Sequence, residues 1–145
     1  MKIVLQRVRE AHVSINGECV GEINNGYVVL LGISGDDTKE KAEQLLKKIS
    51  RLRIFADENN KTNLSINEVK GEILVISQFT LYADCRKGNR PSFINAAKPE
   101  FAEELYEYFI NIAKPLFKKV ACGVFGAYMQ VHIVNDGPFT LVLEA

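Results

Sequence analysis

The chain has 145 residues, 47% of them apolar and 25% charged, which is enough for one domain with a buried core. Lysine plus arginine equals aspartate plus glutamate, 18 each, so no global basic field exists to grip nucleic acid, and any such contact must come from a local patch. No apolar run is long enough for a membrane span, and three scattered cysteines, Cys19, Cys85 and Cys122, fit a reducing cytoplasm better than a disulfide framework or a zinc site.

Lys2 to Val8 reads as a strand and not as a secretion signal, because Gln6 interrupts it after three apolar residues. Val13 and Ile15 alternate with polar neighbours and lead into Asn16-Gly17, a pair that tolerates positive φ and marks a hairpin. Cys19 to Ile23 is the returning strand. Asn25-Gly26 turns the chain into Tyr27 to Ile33, an almost unbroken apolar run of the kind covered on both faces. Asp37, with Glu40 after it, predicts a capping box for a helix carrying Ala42, Leu45, Leu46, Ile49 and Leu52 on one face. Arg53 to Phe55 is a short strand, Asp57 to Lys61 a polar turn, and the stretch to Gly71 irregular. Ile73 to Ser77 is a second buried strand. Pro99 suits the first turn of another helix, with Phe101, Leu105, Phe109 and Ile112 as its apolar face and Pro115 as its stop or kink. Val120 to Phe125, Tyr128 to Val134 and Phe139 to Leu143 are the closing strands. The sum is a single α+β domain over 1–145, with two main helices and short connections that favour a largely antiparallel sheet.

The familiar hydrolytic motifs are absent: there is no H-E-x-x-H, no G-x-S-x-G and no Walker loop. The two histidines, His12 and His132, sit in alternating strands, where a surface or core role outweighs that of a base. Cys85 adjoins Arg86 and Lys87 but has no histidine near it in sequence. Ser77-Gln78-Phe79-Thr80 lies at or just beyond the end of a buried strand, where hydroxyl and amide groups receive a polar substrate or bond local backbone. Arg86, Lys87 and Arg90, interrupted by Gly88 and Asn89, form an exposed basic loop that is either a solvated face or a phosphate contact. Val134-Asn135-Asp136-Gly137-Pro138-Phe139-Thr140 puts a Gly-Pro pair in what reads as a turn between two strands.

Together with Gln6-Arg7-Val8, Gly32, Leu52-Arg53-Ile54-Phe55 and Phe125-Gly126-Ala127, these segments resemble the signature of the D-aminoacyl-tRNA deacylases, also called D-tyrosyl-tRNA deacylases, over essentially the whole chain. The resemblance implies a barrel-like sheet with helices packed outside and hydrolysis of the ester bond of D-aminoacyl-tRNA. It also implies action on mischarged glycyl-tRNA, a homodimer, and no metal or organic cofactor. Ser77, Gln78, Phe79 and Thr80 take catalytic positions in it. Gly137 and Pro138 form a cis pair that enters the active site of the partner subunit, where their carbonyl groups filter out L-amino acids. Arg7 is assigned to support that loop, and Arg86, Lys87 and Arg90 to meet tRNA phosphates. Phe125 and Met129, with Phe79 and Phe93, are candidates to wall the terminal adenine, although each also fits a core role, and Asn135 joins the binding set. Phe139 stands where relatives often carry valine.

Two mechanisms fit these residues. Thr80 is a nucleophile only if a base activates it, and none is evident. Alternatively, backbone N–H groups around Phe79 and Thr80 polarise the ester carbonyl, while the free ribose hydroxyl of the terminal adenosine orients or activates water. The lack of a triad favours the second. A non-catalytic RNA-end or protein-binding module leaves the Ser-Gln-Phe-Thr and Gly-Pro segments unexplained, and a small-molecule esterase would need a nucleophile elbow.

Overall fold

The structure is a computed structural model that describes residues 1–145. β1 (Lys2–Ile15) is its spine. Its first half pairs antiparallel with β3 (Gly26–Gly32) and its second half with β2 (Glu18–Ile23), while β8 (Gln130–Glu144) pairs along nearly its whole other edge. β6 (Glu72–Ser77) lies parallel to β3, and β7 (Val120–Cys122) parallel to β6. Parallel neighbours need a crossover. α1 (Lys39–Arg51) and the hairpin of β4 (Arg53–Ala56) and β5 (Thr62–Ser65) supply the first, and α2 (Pro99–Ala113) the second. At Gly21 an added Cβ would stand 2.7 Å from the Cys122 carbonyl oxygen, so β2 closes against β7 and the sheet becomes a nearly complete barrel.

β3 and β6 read as unbroken apolar runs because both of their faces are covered. Tyr27, Val29, Leu31, Ile73 and Val75 join a 22-residue cluster beneath the helices. Val28, Leu74 and Ile76 turn the other way, into an eight-residue cluster inside the barrel. α1 buries Ala42, Leu45, Leu46 and Ile49 as its spacing predicts. α2 starts on Pro99 and buries Leu105, Tyr106, Phe109, Ile110 and Ala113, whereas Phe101 stays exposed. The Tyr106 hydroxyl donates to the Val75 carbonyl at 2.9 Å and ties α2 to β6.

Several local expectations give way. Thr38, not Asp37, caps α1, its hydroxyl accepting from the Lys41 N–H at 3.4 Å. Asp37 is buried and holds the Met1 ammonium, the Ser34 N–H at 2.8 Å and the Lys41 ammonium at 3.1 Å. Burial alone would raise its carboxyl, but these donors outweigh it and hold the group below its ordinary range. β1 is one strand and not two, because it exchanges β3 for β2 across Arg9-Glu10 without leaving the extended state. β5 falls in the stretch read as irregular; three of its four residues are polar, so no alternation betrays it. β7 ends at Cys122, short of the expected Phe125. The Gly137-Pro138 segment is no turn between strands. It is a bulge inside continuous β8: Gln6 pairs with Thr140 and Val8 with Asn135, so four residues stand opposite Arg7.

Candidate active site

The site is built where β3 and β6 end. Ser77, the last residue of β6, pairs with Leu31, and the Gln78 N–H donates to the Leu31 carbonyl at 2.8 Å. The chain then winds into one 3-10 turn, Phe79–Tyr82. The bond from the Leu81 N–H to the Gln78 carbonyl, 3.2 Å, closes that turn, so the N–H groups of Phe79 and Thr80 lie ahead of it. The Gln78 side-chain amide donates to Thr80 Oγ1. An amide cannot take a proton from a threonine, so this contact orients the hydroxyl without activating it.

Beside the turn opens a cleft of about 490 Å³. Ser77, Gln78 and Phe79 form one side. Phe125, Met129 and Val131 form another, and Ala97, Pro99 and Ala102, leading into and along α2, complete the wall. Phe79 is 54% exposed and meets Phe93 edge to face at 4.9 Å. Neither ring is in the core, and Phe125 and Met129 are only partly buried. These apolar surfaces suit a flat base or an amino-acid side chain. No carboxylate, histidine, cysteine, lysine or arginine lines the cleft. His132 alternates with Val131 along β8 and therefore points to the other face, stacked on His12 at 4.3 Å. Within one chain, neither histidine serves as a base for this cleft.

The structure brings Ser77, Gln78, Phe79, Phe125 and Met129 together, with Thr80 beside them. It does not bring Gly137, Pro138, Arg7 or Asn135 to the same place. Arg7 pairs with Tyr27, whose β6 partner is Ile73, and Ser77 lies four residues further along that strand. That offset is about 13 Å along the strand direction alone, and β3 also lies between β1 and β6.

The bulge is itself a built feature. The Gly137–Pro138 peptide bond is cis, and Gly137 has φ +130°, a region that residues with a side chain rarely adopt. Arg7 clamps it from behind: its Nε donates at 3.1 Å to the Asp136 carbonyl and lies 3.1 Å from the Asp136 carboxylate as an ion pair, a terminal nitrogen donates to the Ile54 carbonyl, and the guanidinium lies 5.0 Å from the Phe139 ring centre. Nε and Nη1 of Arg7 are thus engaged with its own chain. Asn135 is exposed beside the bulge.

The basic loop is closed by backbone bonds between Asp84 and Ser92, 2.8 and 2.9 Å. Arg86 folds back onto Asp84, with contacts of 2.9 and 2.6 Å, so much of its charge is already answered. Lys87 and Arg90 are exposed and make no ion pair. The cleft residues that sequence reasoning passed over, Ile33, Ala97, Pro99, Ala102, Tyr128 and Val131, come mostly from loops and helix starts whose apolar character looks like ordinary packing. Only Tyr128, 88% exposed beside Phe125-Gly126-Ala127, carried a usable signal.

This fold and cleft have counterparts among known proteins. A family model described as D-Tyr-tRNA(Tyr) deacylase matches residues 4–144. The chain is 57% identical to a D-aminoacyl-tRNA deacylase of Desulfatibacillum aliphaticivorans, covering 100% of this chain and 99% of that one. It is 54% identical to the protein of the same name from Thermosipho africanus, covering 100% and 97%. A solved structure described as a c-Myc DNA Unwinding Element Binding Protein superposes with a TM-score of 0.94 at 44% identity, covering 100% of this chain and 99% of that one. A probable eukaryotic D-amino acid tRNA deacylase shares the fold, at TM-score 0.87 and 18% identity over 98% and 97% of the two chains. The chain belongs to the D-Tyr-tRNA(Tyr) deacylase family.

Proposed function

We propose that this protein hydrolyses the ester between a D-amino acid and the terminal ribose of tRNA, releasing both, and that it acts as a homodimer in which the Gly137-Pro138 bulge of each protomer enters the cleft of the other. The observation that carries the reading is a cleft edged by Ser77, Gln78 and Phe79, with Thr80 beside them and no carboxylate, histidine, cysteine or lysine in its lining, in a chain of this family. With no carboxylate, histidine or lysine in the cleft to act as base, we assign the work to the backbone and the substrate. The N–H groups of Phe79 and Thr80 polarise the ester carbonyl and stabilise the oxyanion that forms as water adds. The neighbouring ribose hydroxyl orients the water. The carbon–oxygen bond to the ribose then breaks, and the departing oxygen takes up the proton that the attacking water gives up.

Stereoselection is a matter of shape. The bulge supplies main-chain carbonyl groups as a rigid wall at the position an L side chain would occupy. A D side chain points elsewhere, and glycine has none to exclude, so glycyl-tRNA is also admitted. A wall made of backbone is indifferent to which D-residue is bound. The displacement of the bulge from its own chain's cleft, four residues along the strands by register, supports a bulge supplied by a partner. β8 supports pairing: none of its 15 residues is fully buried, it pairs only with β1, and Val134 and Val142 are exposed at 47% and 63%. The tRNA acceptor end enters over the 3-10 turn, with Lys87 and Arg90 near its phosphates.

Mixed dimers test the shared site. One wild-type protomer is paired with one that carries both a blocked cleft and a disrupted Gly137-Pro138 bulge. Sharing predicts that no D-selective site survives in such a dimer. A fully selective wild-type cleft in the mixed dimer would show that the bulge acts within its own chain or not at all.

A further inference from the structure

Lys47, Lys48 and Arg51 are exposed, none makes an ion pair, and they line one groove of about 520 Å³ between α1 and the end of β8. Gln44, Lys48 and Arg51 recur at i, i+4 and i+7, one stripe of the helix, opposite the buried Ala42, Leu45, Leu46 and Ile49. Two cations in a last turn also complement the helix dipole. That does not explain Lys47, nor why all three face a groove in a chain whose net charge is zero.

The carboxylates nearby are engaged elsewhere. Glu144, in the groove itself, is paired with Lys2 at 3.0 Å, and Glu43 on α1 accepts from the Tyr108 hydroxyl. The Lys2 ammonium also sits 5.3 Å from the Tyr82 ring centre. Tyr82 belongs to the same 3-10 turn as Phe79 and Thr80. Lys2, Tyr82, Asp84 and Arg86 line a second groove of about 490 Å³, in which Asp84 is paired with Arg86 at 2.6 Å. Glu144 and Lys2 therefore form a saddle joining the α1 groove to the groove beside the catalytic turn.

We infer that this track, from the 3-10 turn across Lys2 to Lys47, Lys48 and Arg51, is where the phosphate backbone of the tRNA acceptor duplex lies when its end is in the cleft. The inference rests on the tRNA-ester reading above. The chemistry it needs is point charges at phosphate spacing without base contacts, which fixes register and adds affinity regardless of sequence.

The test uses the full chain with Lys47, Lys48 and Arg51 all changed to Gln, and Lys70→Gln as a control at the opposite end of β6. Two substrates are compared: D-tyrosyl-tRNA and the minimal ester D-tyrosyl-adenosine. The triple variant should lose about tenfold or more in kcat/KM on the full tRNA at low salt, and the slope of log affinity against log salt should fall by about one for each contact removed. Hydrolysis of the adenosine ester should be unchanged, and the control should match wild type on both. An unchanged salt slope on full tRNA overturns the track, as does an equal loss on both substrates. Wild-type protein inactive on both substrates would instead refute the ester-hydrolase reading on which the inference stands.

Discussion

Replacing Arg7 with Met should loosen the bulge while leaving the cleft in its own chain intact. The Arg7 side chain is 13% exposed, and its guanidinium serves the Asp136 carbonyl, the Asp136 carboxylate and the Ile54 carbonyl. Hydrogen bonds to charged groups contribute roughly 1.5–3 kcal/mol each when buried. Asp136 is 32% exposed, so water recovers part of its loss, and Arg9 remains beside it at 3.4 Å. The Ile54 carbonyl recovers less, and the contact with Phe139 is lost outright. A net destabilisation of about 2–4 kcal/mol follows, or roughly 5–15 °C in Tm for a domain of this size. Urea unfolding at fixed protein concentration measures it, with an unchanged m value showing that the folded state keeps its compactness. Arg7→Lys should recover little, because one ammonium cannot reach three acceptors set in a fork. In the same samples, L-tyrosyl-tRNA should begin to be hydrolysed while D-tyrosyl-tRNA still is. A midpoint within experimental error of wild type, with L-substrate still refused, would refute the clamp.

Thr80→Ala should stay within about tenfold of wild-type turnover, since its hydroxyl has no base; a thousandfold loss in a folded, tRNA-binding variant would make Thr80 the nucleophile. A D-tyrosyl-tRNA lacking the free hydroxyl next to the ester should react about a hundredfold more slowly with near-normal binding, and an unaltered single-turnover rate would remove that hydroxyl from the mechanism. At Gly123 an added Cβ would collide with Met129 Sδ and crowd Ile76 Cδ1 at 3.2 Å. Gly123→Ala should therefore push Met129 into the cleft and raise KM more than it lowers stability, whereas an unchanged KM would mean that Met129 does not touch substrate. Burial works to raise the Glu72 carboxyl, but the Asn24 N–H and the Lys118 ammonium outweigh it and hold it below its ordinary range. A folded-state pKa below the unfolded one gives stability that is present above the unfolded value and lost as pH falls through the folded one. Glu72→Gln should then be less stable than wild type at neutral pH, and the difference should shrink on acidification; a constant difference from pH 7 to pH 3 would contradict this.

Much of the architecture was legible because burial on two faces leaves an unmistakable trace. Tyr27 to Ile33 and Ile73 to Ser77 announce two central buried strands, though not their parallel pairing, and the i, i+3, i+4 spacing of α1 announces its buried face. What escaped was decided by partners and not by local pattern. Arg9-Glu10 looks like a break, yet the strand continues because each half has its own neighbour. Thr62 to Ser65 looks like a loop, yet it pairs with β4. Asp37 looks like a helix cap, but a buried ammonium and the Lys41 side chain claim its carboxylate. In the site, Ser77, Gln78 and Phe79 stood out by motif and line the cleft with Phe125 and Met129, while Thr80 lies beside it. The α2 wall at Pro99 and Ala102 gave no signal, because small apolar residues at a helix start look the same whether they face a core or a ligand. The separation of the Gly137-Pro138 bulge from that cleft depends on β-sheet register, which no local run of residues encodes.

The most direct test is a single-turnover comparison of D- and L-tyrosyl-tRNA with enzyme in excess, following release of tyrosine from each. Hydrolysis of the D-ester at least a hundredfold faster, with the L-ester left at its uncatalysed rate, is the predicted result. Equal rates for the two would contradict a main-chain wall that sorts substrates by the direction of their side chain.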